Sequence, residues 1–402
     1  MRPSPHPRLA LVILTALNFF NYIDRSVLFA VQPLVQQEFQ RSDRDFGLLT
    51  TAFFFCYMIA APFMGMLADR YPRRMLIAAG AIVWSAATLL TAVTNNFTEL
   101  LIRHTLVGIG EASFVTIAPA FLADLFGEEK RGKILSIFYV AIPVGTAAGY
   151  MIGGYMGHRF GWRAPFYVAA APGFLLAVAM WFIAEPARGA HDTLAATPER
   201  TQVTLLARNG AFLCATLGMA MLTFALGGIS VWMPTFLSRV RHIPLDRANL
   251  IFGAMTGING IVATLIGGYW GDHMLRRDHA AYYRFSGLAM GAGVPLMALA
   301  IYVAGPVMFP AIFLAEFVLF LNNGPLNAAI VNSVSAPIRA TAIALNVFII
   351  HLLGDAFSPT LMGWISDRSS LEAAFGTAIA ACALSCIILL YGMRYAPRIQ
   401  RS

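Results

Sequence analysis

The sequence predicts an all-α membrane protein: twelve transmembrane helices in two six-helix bundles related by pseudo-two-fold symmetry. Three observations carry that prediction. Of 402 residues, 58% are hydrophobic and 12% are charged, against about 25% charged in soluble domains. Charge-free runs long enough to cross a bilayer recur along the whole chain. A Gly–Asp–Arg–Arg spacing occurs twice, with Gly65, Asp69, Arg73 and Arg74 answered 203 residues later by Gly268, Asp272, Arg276 and Arg277.

The spans follow in order. Leu9–Gln36 is the first, carrying internal charges. The start, Met1 to Arg8 followed by Leu9–Leu17, has the outline of a signal peptide. No small-residue cleavage site follows, however, and the apolar run continues past Asn18 and Asn21, so the segment reads as a span. Phe46–Ala68 and Met75–Thr98 are charge-free, Glu99–Phe126 carries charges, and Ile134–His158 and Ala164–Ala184 complete the first half. Asn209–Ser238 and Ala248–Gly271 open the second half. Phe285–Ala315 is too long for one span and breaks near Gly305-Pro306, which separates the ninth helix from the tenth. Phe317–Ile338 continues the tenth, Ala340–Trp364 is the eleventh and Ala373–Met393 the twelfth. Gly324-Pro325 predicts a local break in the tenth span, of the kind tolerated where a helix lines a cavity.

Glu185–Val203 is polar and holds Pro186, Gly189 and Pro198. It reads as a cytoplasmic linker and gives three parts: an N-terminal bundle over 1–186, the linker over 187–203 and a C-terminal bundle over 204–402. Duplicated halves with a substrate site near the midplane are a transporter architecture. A looser echo relates Arg131, Gly154 and Arg159 to Arg339, Gly363 and Arg368.

The net charge of +8 does not mark a nucleic-acid surface, because its location is topological. With the N-terminus inside, cytoplasmic segments hold 18 of the 28 Lys and Arg and outer loops hold 8. That bias puts both termini in the cytoplasm. The four cysteines fall within spans and lack metal-ligand spacing, which makes them packing residues. No Walker loop, Gly-x-Ser-x-Gly or His-Glu-x-x-His occurs, so neither ATP coupling nor familiar hydrolase chemistry is indicated. No cofactor or metal is expected.

Charges inside spans are costly and usually functional. Asp24 and Arg25 lie in the first span and Glu111 in the fourth. Burial and neighbouring charge decide when such a carboxylate holds a proton, so Asp24 and Glu111 are the lead proton-coupling pair. The alternative is a static ion pair of Asp24 with an arginine. Asn18, Asn21 and Arg25, three and four apart, form one polar stripe, with Arg25 turned about 100° from Asp24. A guanidinium fork suits a phosphate or carboxylate headgroup; internal pairing with Glu111 or Asp24 stands beside that reading. Gly145, Gly149, Gly153 and Gly157 share a face of the fifth span; close helix packing is the simpler reading, and a direct substrate role is the alternative. In the second half, Glu316, Asn322, Asn323 and Asn327 lie on the tenth span and His351 and Asp355 on the eleventh. They are candidate substrate contacts. His351 and Asp355, four apart, form either a titrating site or a fixed polar clamp. Gly65, Asp69, Arg70, Arg73, Arg74 and Asp124, with Gly268, Asp272 and Arg276, are candidate gating residues. A carboxylate there can meet a helix N-terminus.

Gly65-Met-Leu-Ala-Asp-Arg-Tyr-Pro-Arg-Arg74 resembles the loop signature of the major facilitator superfamily, with Pro72 where glycine is usual. Pro143-Val144-Gly145 resembles that superfamily's helix-five motif. Gly110-Glu-Ala-Ser-Phe-Val-Thr-Ile-Ala-Pro119 with Ala123–Phe126, and His351-Leu-Leu-Gly-Asp-Ala356 with Ser358-Pro359, resemble the Spinster family of lipid transporters. The resemblance implies twelve helices, alternating access and proton-linked movement of lysophospholipids or sphingoid phosphates. It also implies proton sensing at Asp24 and Glu111 and a headgroup contact at Arg25. The superfamily places an arginine seven residues before the Glu111 position, where this chain has His104, preceded by Arg103. His104 shares the Glu111 face and Arg103 lies about 100° off it. Either His104 adds a pH response, or Arg103 reaches round to replace the usual cation, or His104 is satisfied by a backbone carbonyl or water. Phe19, Phe20, Phe53, Phe54 and Phe55 could form an acyl-chain wall or simply face lipid.

The expected protein is a monomeric secondary transporter of the inner (plasma) membrane, proton-coupled, moving an amphiphilic anion such as a lysophospholipid. Its partners are that substrate, protons and the bilayer, without nucleic acid. A symporter of a small organic anion is the alternative, and an intramembrane lipid-modifying enzyme is the more distant one.

Overall fold

Long apolar sequences must satisfy their backbone polar groups internally in a bilayer, and helices do so. In the computed structural model, which describes residues 6–188, 202–335 and 338–397, twelve helices are long and apolar enough to cross a membrane, and no strand occurs among the described residues. The linker expected over 187–203 lies mostly outside the described residues.

In the first half, α1 (Pro7–Ala30) is followed by a short α2 (Gln32–Phe39), so the sequence run to Gln36 is two helices. Then come α3 (Asp43–Arg70), α4 (Arg73–Thr91), α5 (Phe97–Leu125), α6 (Glu128–Phe160) and α7 (Ala164–Trp181). Local chemistry fixes several starts. Ser42 caps α3 by accepting from Asp45 N, with Asp43 and Asp45 in the first turn. Asn96 accepts from Glu99 N, and the Glu99 carboxylate returns to Asn95 N and the Asn96 amide, a reciprocal cap for α5.

The second half holds α8 (Gln202–Ala207), α9 (Gly210–Arg239), α10 (Leu245–Leu275), α11 (Ala281–Tyr302), α12 (Met308–Phe320), α13 (Asn323–Asn332), α14 (Arg339–Ile350), α15 (Ser358–Arg368) and α16 (Leu371–Gly392). The ninth and tenth spans separate around Gly305, which has φ +105°. The tenth span does break, at Leu321–Asn322 between α12 and α13, one turn before Gly324-Pro325. Proline lacks the N–H that would bond the carbonyl four residues back, and for Pro325 that carbonyl is Leu321's. Between α14 and α15 the eleventh span carries a π-helical turn, His351–Asp355, with Gly354 at φ −101°, ψ −108°.

Packing groups the chain into two compact units: residues 1–195 with 237–254, and 196–236 with 255–402. In the first unit α1 packs on α6 and α7, α4 on α5 and α7, and α3 on α5. The α1–α6 contact is a glycine rail. A Cβ at Gly145 would lie 2.5 Å from Phe19 O, at Gly149 2.7 Å from Ile23 O, at Gly153 2.6 Å from Ala30 Cβ, and at Gly157 2.7 Å from Val31 Cγ1. The four glycines serve packing, the simpler of their sequence readings. Gly108 brings α5 against α3 in the same way, with Phe53 O 2.6 Å from where its Cβ would be. These approaches set α1, α3 and α5 around one polar centre. In the second unit α11 packs on α12 and α16, and α15 on α16.

Candidate functional site

At the centre of the first unit, Arg25 Nε donates to Glu111 Oε2 at 2.6 Å. The Glu111 side chain is fully buried and that of Arg25 is 14% exposed. Four aromatic rings surround the guanidinium: Phe53 at 5.0 Å, Tyr22 at 5.1 Å, Tyr57 at 5.6 Å and Phe54 at 5.9 Å. Such rings stabilise a cation that has lost water. Phe53 and Phe54 thus belong to the arginine's cage. His104, buried on α5, stacks on Phe53 with centroids 5.5 Å apart.

Asp24 is 5% exposed and accepts from the Thr88 hydroxyl of α4. It makes no ion pair with Arg25, whose guanidinium is turned to Glu111, as expected for neighbours about 100° apart on a helix. Glu111 and Arg25 are the charges that act on Asp24. Asn21 is fully buried and lies beside Glu111, whose Oε1 has no hydrogen-bond partner. The centre therefore joins two acids, one cation and one amide, with a carboxylate oxygen unspent.

Two members of the expected set are elsewhere. Asn18 donates to Phe138 O at 2.9 Å, which turns the lower end of the α1 stripe into α6 packing. Arg103 does not reach the Glu111 face. It donates to Leu90 O at 2.6 Å and pairs with Glu99 at 3.2 Å. Its position off the Glu111 face directs it to the C-terminal end of α4 instead, so the cation beside Glu111 comes from α1.

The second-unit residues form separate groups. Glu316 accepts from Thr256 at 2.8 Å, and Asn322 turns its amide back to Val318 O and Leu319 O. Asn323 Nδ2 stands 3.4 Å from Thr264 Oγ1, and Asn327 Nδ2 donates to Asn323 O at 2.8 Å. His351 Nδ1 lies 2.9 and 3.1 Å from the two Asp355 oxygens, so the expected i,i+4 pair forms, on the π-turn.

The repeated loop motif is asymmetric. Arg73 pairs with Asp124 at 2.5 Å and Glu185 at 2.9 Å and donates to Pro186 O. Arg74 donates to Ile183 O. Arg188 donates to the carbonyls of Ala68, Asp69 and Tyr71, occupying the end of α3 that the helix leaves open. Asp69 and Arg70 are exposed, and a Cβ at Gly65 would meet Thr116 Cγ2 at 3.9 Å. In the second unit Asp272 accepts from Tyr282 at 2.6 Å, and Gly268 lies against Gly324, whose Cβ would sit 3.0 Å from its Cα. Arg276 lies on exposed backbone just past Leu275, the last residue of α10.

Thr88, Tyr22, Tyr57, Glu185 and Arg188 were not singled out by sequence reasoning. Threonine and tyrosine within spans carry no charge to attract attention. Glu185 and Arg188 read as linker charges, although their closeness to the end of the sixth span was a signal. Among the described residues no group of three or more His, Cys, Asp or Glu could hold a metal ion.

Residues 14–354 match the Major Facilitator Superfamily. The chain is 35% identical over 384 residues to protein spinster homolog 3 of Danio rerio, covering 90% of this chain and 77% of that protein. It is 34% identical over 399 residues to the sphingosine-1-phosphate transporter SPNS2 of Danio rerio, covering 92% and 78%. It is 34% identical over 389 residues to protein spinster homolog 1 of Homo sapiens, covering 90% and 73%. The fold matches a crystal structure of a bacterial homolog to the human lysosomal transporter Spinster, in an inward-facing and unoccupied conformation. That match has TM-score 0.84 and 22% identity and covers 98% of this chain and 96% of that one. The chain is thus an integral membrane transporter rather than an enzyme, and it belongs to the Spinster homologues of the Major Facilitator Superfamily.

Proposed function

We propose that this protein is a proton-coupled secondary transporter that moves an amphiphilic anion, such as a lysophospholipid, by alternating access. The observation that carries the reading is the Arg25–Glu111 pair at 2.6 Å, buried within spans beside Asp24. Arg25 has one strong partner there, and a lipid headgroup is a competing anion. When Glu111 takes a proton, it loses the charge that holds the guanidinium, and Arg25 becomes available to phosphate or carboxylate. Proton and substrate are then linked through one cation, a coupling free energy between two ligands. Asp24, held by the Thr88 hydroxyl rather than by a cation, is the second proton carrier.

The name of SPNS2, a sphingosine-1-phosphate transporter, supports a lipid with an anionic head. The positive-inside bias supports cytoplasmic termini, and the bacterial homolog supports an inner-membrane location. We assign the bundles to 1–186 and 204–402, joined by a cytoplasmic linker over 187–203. Gating falls to the Arg73–Asp124 cluster with Gly65, Asp69, Arg70 and Arg74, and to Gly268, Asp272 and Arg276. The functional unit is a monomer.

The test is proton flux in proteoliposomes on addition of lysophospholipid or of small organic acids. Lysophospholipid should drive proton movement in the wild type, and Asp24→Asn and Glu111→Gln should each abolish it. Flux with small organic acids alone would replace the lipid with a small anion. Transport that keeps its pH dependence in both variants would remove the proton role.

A further inference from the structure

Glu316 is a buried carboxylate that the Arg25 mechanism does not use. It is 3% exposed on α12, and no cation pairs with it among the described residues. Thr256 of α10 donates to Oε1 at 2.8 Å. Asn259 Nδ2 stands 3.5 Å from Oε2 while donating to Phe313 O at 3.0 Å. A carboxylate has about four lone-pair sites, and burying an unpaired one in a span is costly. One good neutral donor and one long one do not replace that hydration.

The surrounding elements offer no counter-charge. On α11 no ionisable residue lies between Arg284 and Tyr302, and on α9 none lies between Cys214 and Arg239. On α10 between Thr256 and Asp272 the sole ionisable residue is Tyr269, which is 71% exposed. On the eleventh span His351 and Asp355 are paired with each other. Glu316 is the one ionisable residue of α12–α13.

The internal repeat shows what has changed. Glu111 and Glu316 each lie on the fourth span of their half, about four turns before that span ends. The 203-residue register that relates the loop motifs also relates the starts of α1 and α9, Pro7 and Gly210. In that register Asp24 and Arg25 correspond to Gly227 and Gly228, Phe53 to Thr256 and Cys56 to Asn259. In the same register Glu111 corresponds to Leu314 and Ser113 to Glu316, so the carboxylate of the second unit sits two residues further along its span, and the positions of Asp24, Arg25 and Phe53 hold no charge and no ring. Thr256 stands in the place of Phe53, Gly228 in that of Arg25 and Asn259 in that of Cys56.

We propose that Glu316 is a second proton-binding site, internal to the C-terminal unit, in which a proton takes the place that Arg25 takes against Glu111. The acid form removes the unpaired charge. It also supplies an O–H in a pocket where Asn259 Oδ1 is a buried acceptor without a donor. The proton leaves when water reaches the α10–α12 contact. The site does not depend on which substrate is carried.

Infrared difference spectra between acid and alkaline pH, on the full-length protein in lipid nanodiscs without substrate, test this directly. A protonated-carboxyl component that titrates above the exposed carboxylates should persist in the Asp24→Asn/Glu111→Gln variant and be lost when Glu316→Gln is added. Thr256→Val should keep the band but move it to higher frequency, because the hydroxyl no longer donates to it. A difference spectrum unchanged by Glu316→Gln overturns the proposal. If Glu316→Gln does not fold, an unshifted band in Thr256→Val overturns it. Thermal stabilisation by sodium that Glu316→Gln removes would assign the site to a metal cation instead and would also overturn it. Because no substrate is present, failure of lysophospholipid transport leaves these outcomes untouched.

Discussion

Arg25 and Glu111 are held together by burial as much as by charge. Removing one member of a buried pair leaves the other charged and unpaired, at a cost of about 3–5 kcal/mol, whereas replacing both with shape-matched neutral groups costs far less. Arg25→Met and Glu111→Gln should each lower the thermal stability of the purified transporter, and the double variant should lose much less than the sum. A thermal-shift double-mutant cycle measures this, and additive losses would mean that the two residues are not coupled. Both residues were legible in the sequence because charges stand out in apolar spans. Their aromatic cage was only half legible. Phe53 and Phe54 were visible as an aromatic cluster, but nothing in the sequence aimed them at Arg25. That aim comes from Gly108, which lets α5 draw close to Phe53 O. Arg103 shows the reverse case. Its residue type fitted a headgroup contact, but its rotation about the helix placed it on Leu90 O and Glu99.

At the scale of elements, helix identity followed from hydropathy, and helix ends followed from chemistry that hydropathy does not register. The short α2 is an example. It is joined to the start of α7 by Glu38, which accepts from Trp162 Nε1 at 2.6 Å and pairs with Arg163 at 2.7 Å. Arg163 also donates to Thr94 O at 2.8 Å, beyond the end of α4. The Arg163 hydrogen bonds, with help from Trp162 and against a smaller desolvation effect, hold the Glu38 carboxyl below its ordinary value of 4.5. An acid with a lowered folded-state value contributes stability that is fully present above 4.5 and is lost as pH falls through the lowered value. Glu38 is 41% exposed, so the contribution is at most about 1 kcal/mol. Glu38→Gln should melt slightly lower than wild type at neutral pH, with the gap closing below pH 4.5. Thermal shifts across that range measure it, and a gap independent of pH would contradict the assignment. The glycine rail of α6 was more accessible to sequence, because a four-residue period of one small residue places all four glycines on one helix face. The break in the tenth span was visible through Pro325, and its position one turn earlier follows from which carbonyl the proline leaves unbonded.

On the scale of the whole chain, the 203-residue repeat supports a division at the proposed linker, and packing adds a grouping that no repeat displays: residues 237–254 belong with the first unit. The contacts responsible are polar and specific. Arg239 reaches both oxygens of Asp43, at 2.8 and 2.7 Å, and Gln36 Oε1 at 2.8 Å. Asn249 donates to Ala30 O at 3.0 Å, taking up a carbonyl at the end of α1. A Cβ on Gly253 would stand 3.0 Å from Ala147 O, so the backbone itself is closely seated. Sequence could not show this, because Arg239, Asp43 and Asn249 each read singly as loop or helix-end polar residues. Their partners lie some two hundred residues away. The grouping is also where the two repeats differ in role, since the first unit gains a segment from the second half of the chain. Charge-assisted hydrogen bonds of this kind contribute about 1.5–3 kcal/mol. Arg239→Ala should therefore increase amide hydrogen exchange in residues 30–45, because Asp43 and Gln36 lose their shared cation and local opening becomes easier. Asn249→Leu should raise exchange at the end of α1 alone. The glycine rail, buried along the length of α1, should keep its protection in both variants. Exchange that rises uniformly across the first unit would indicate global destabilisation, and exchange that does not change over 30–45 would show that the segment 237–254 does not secure that end of the unit.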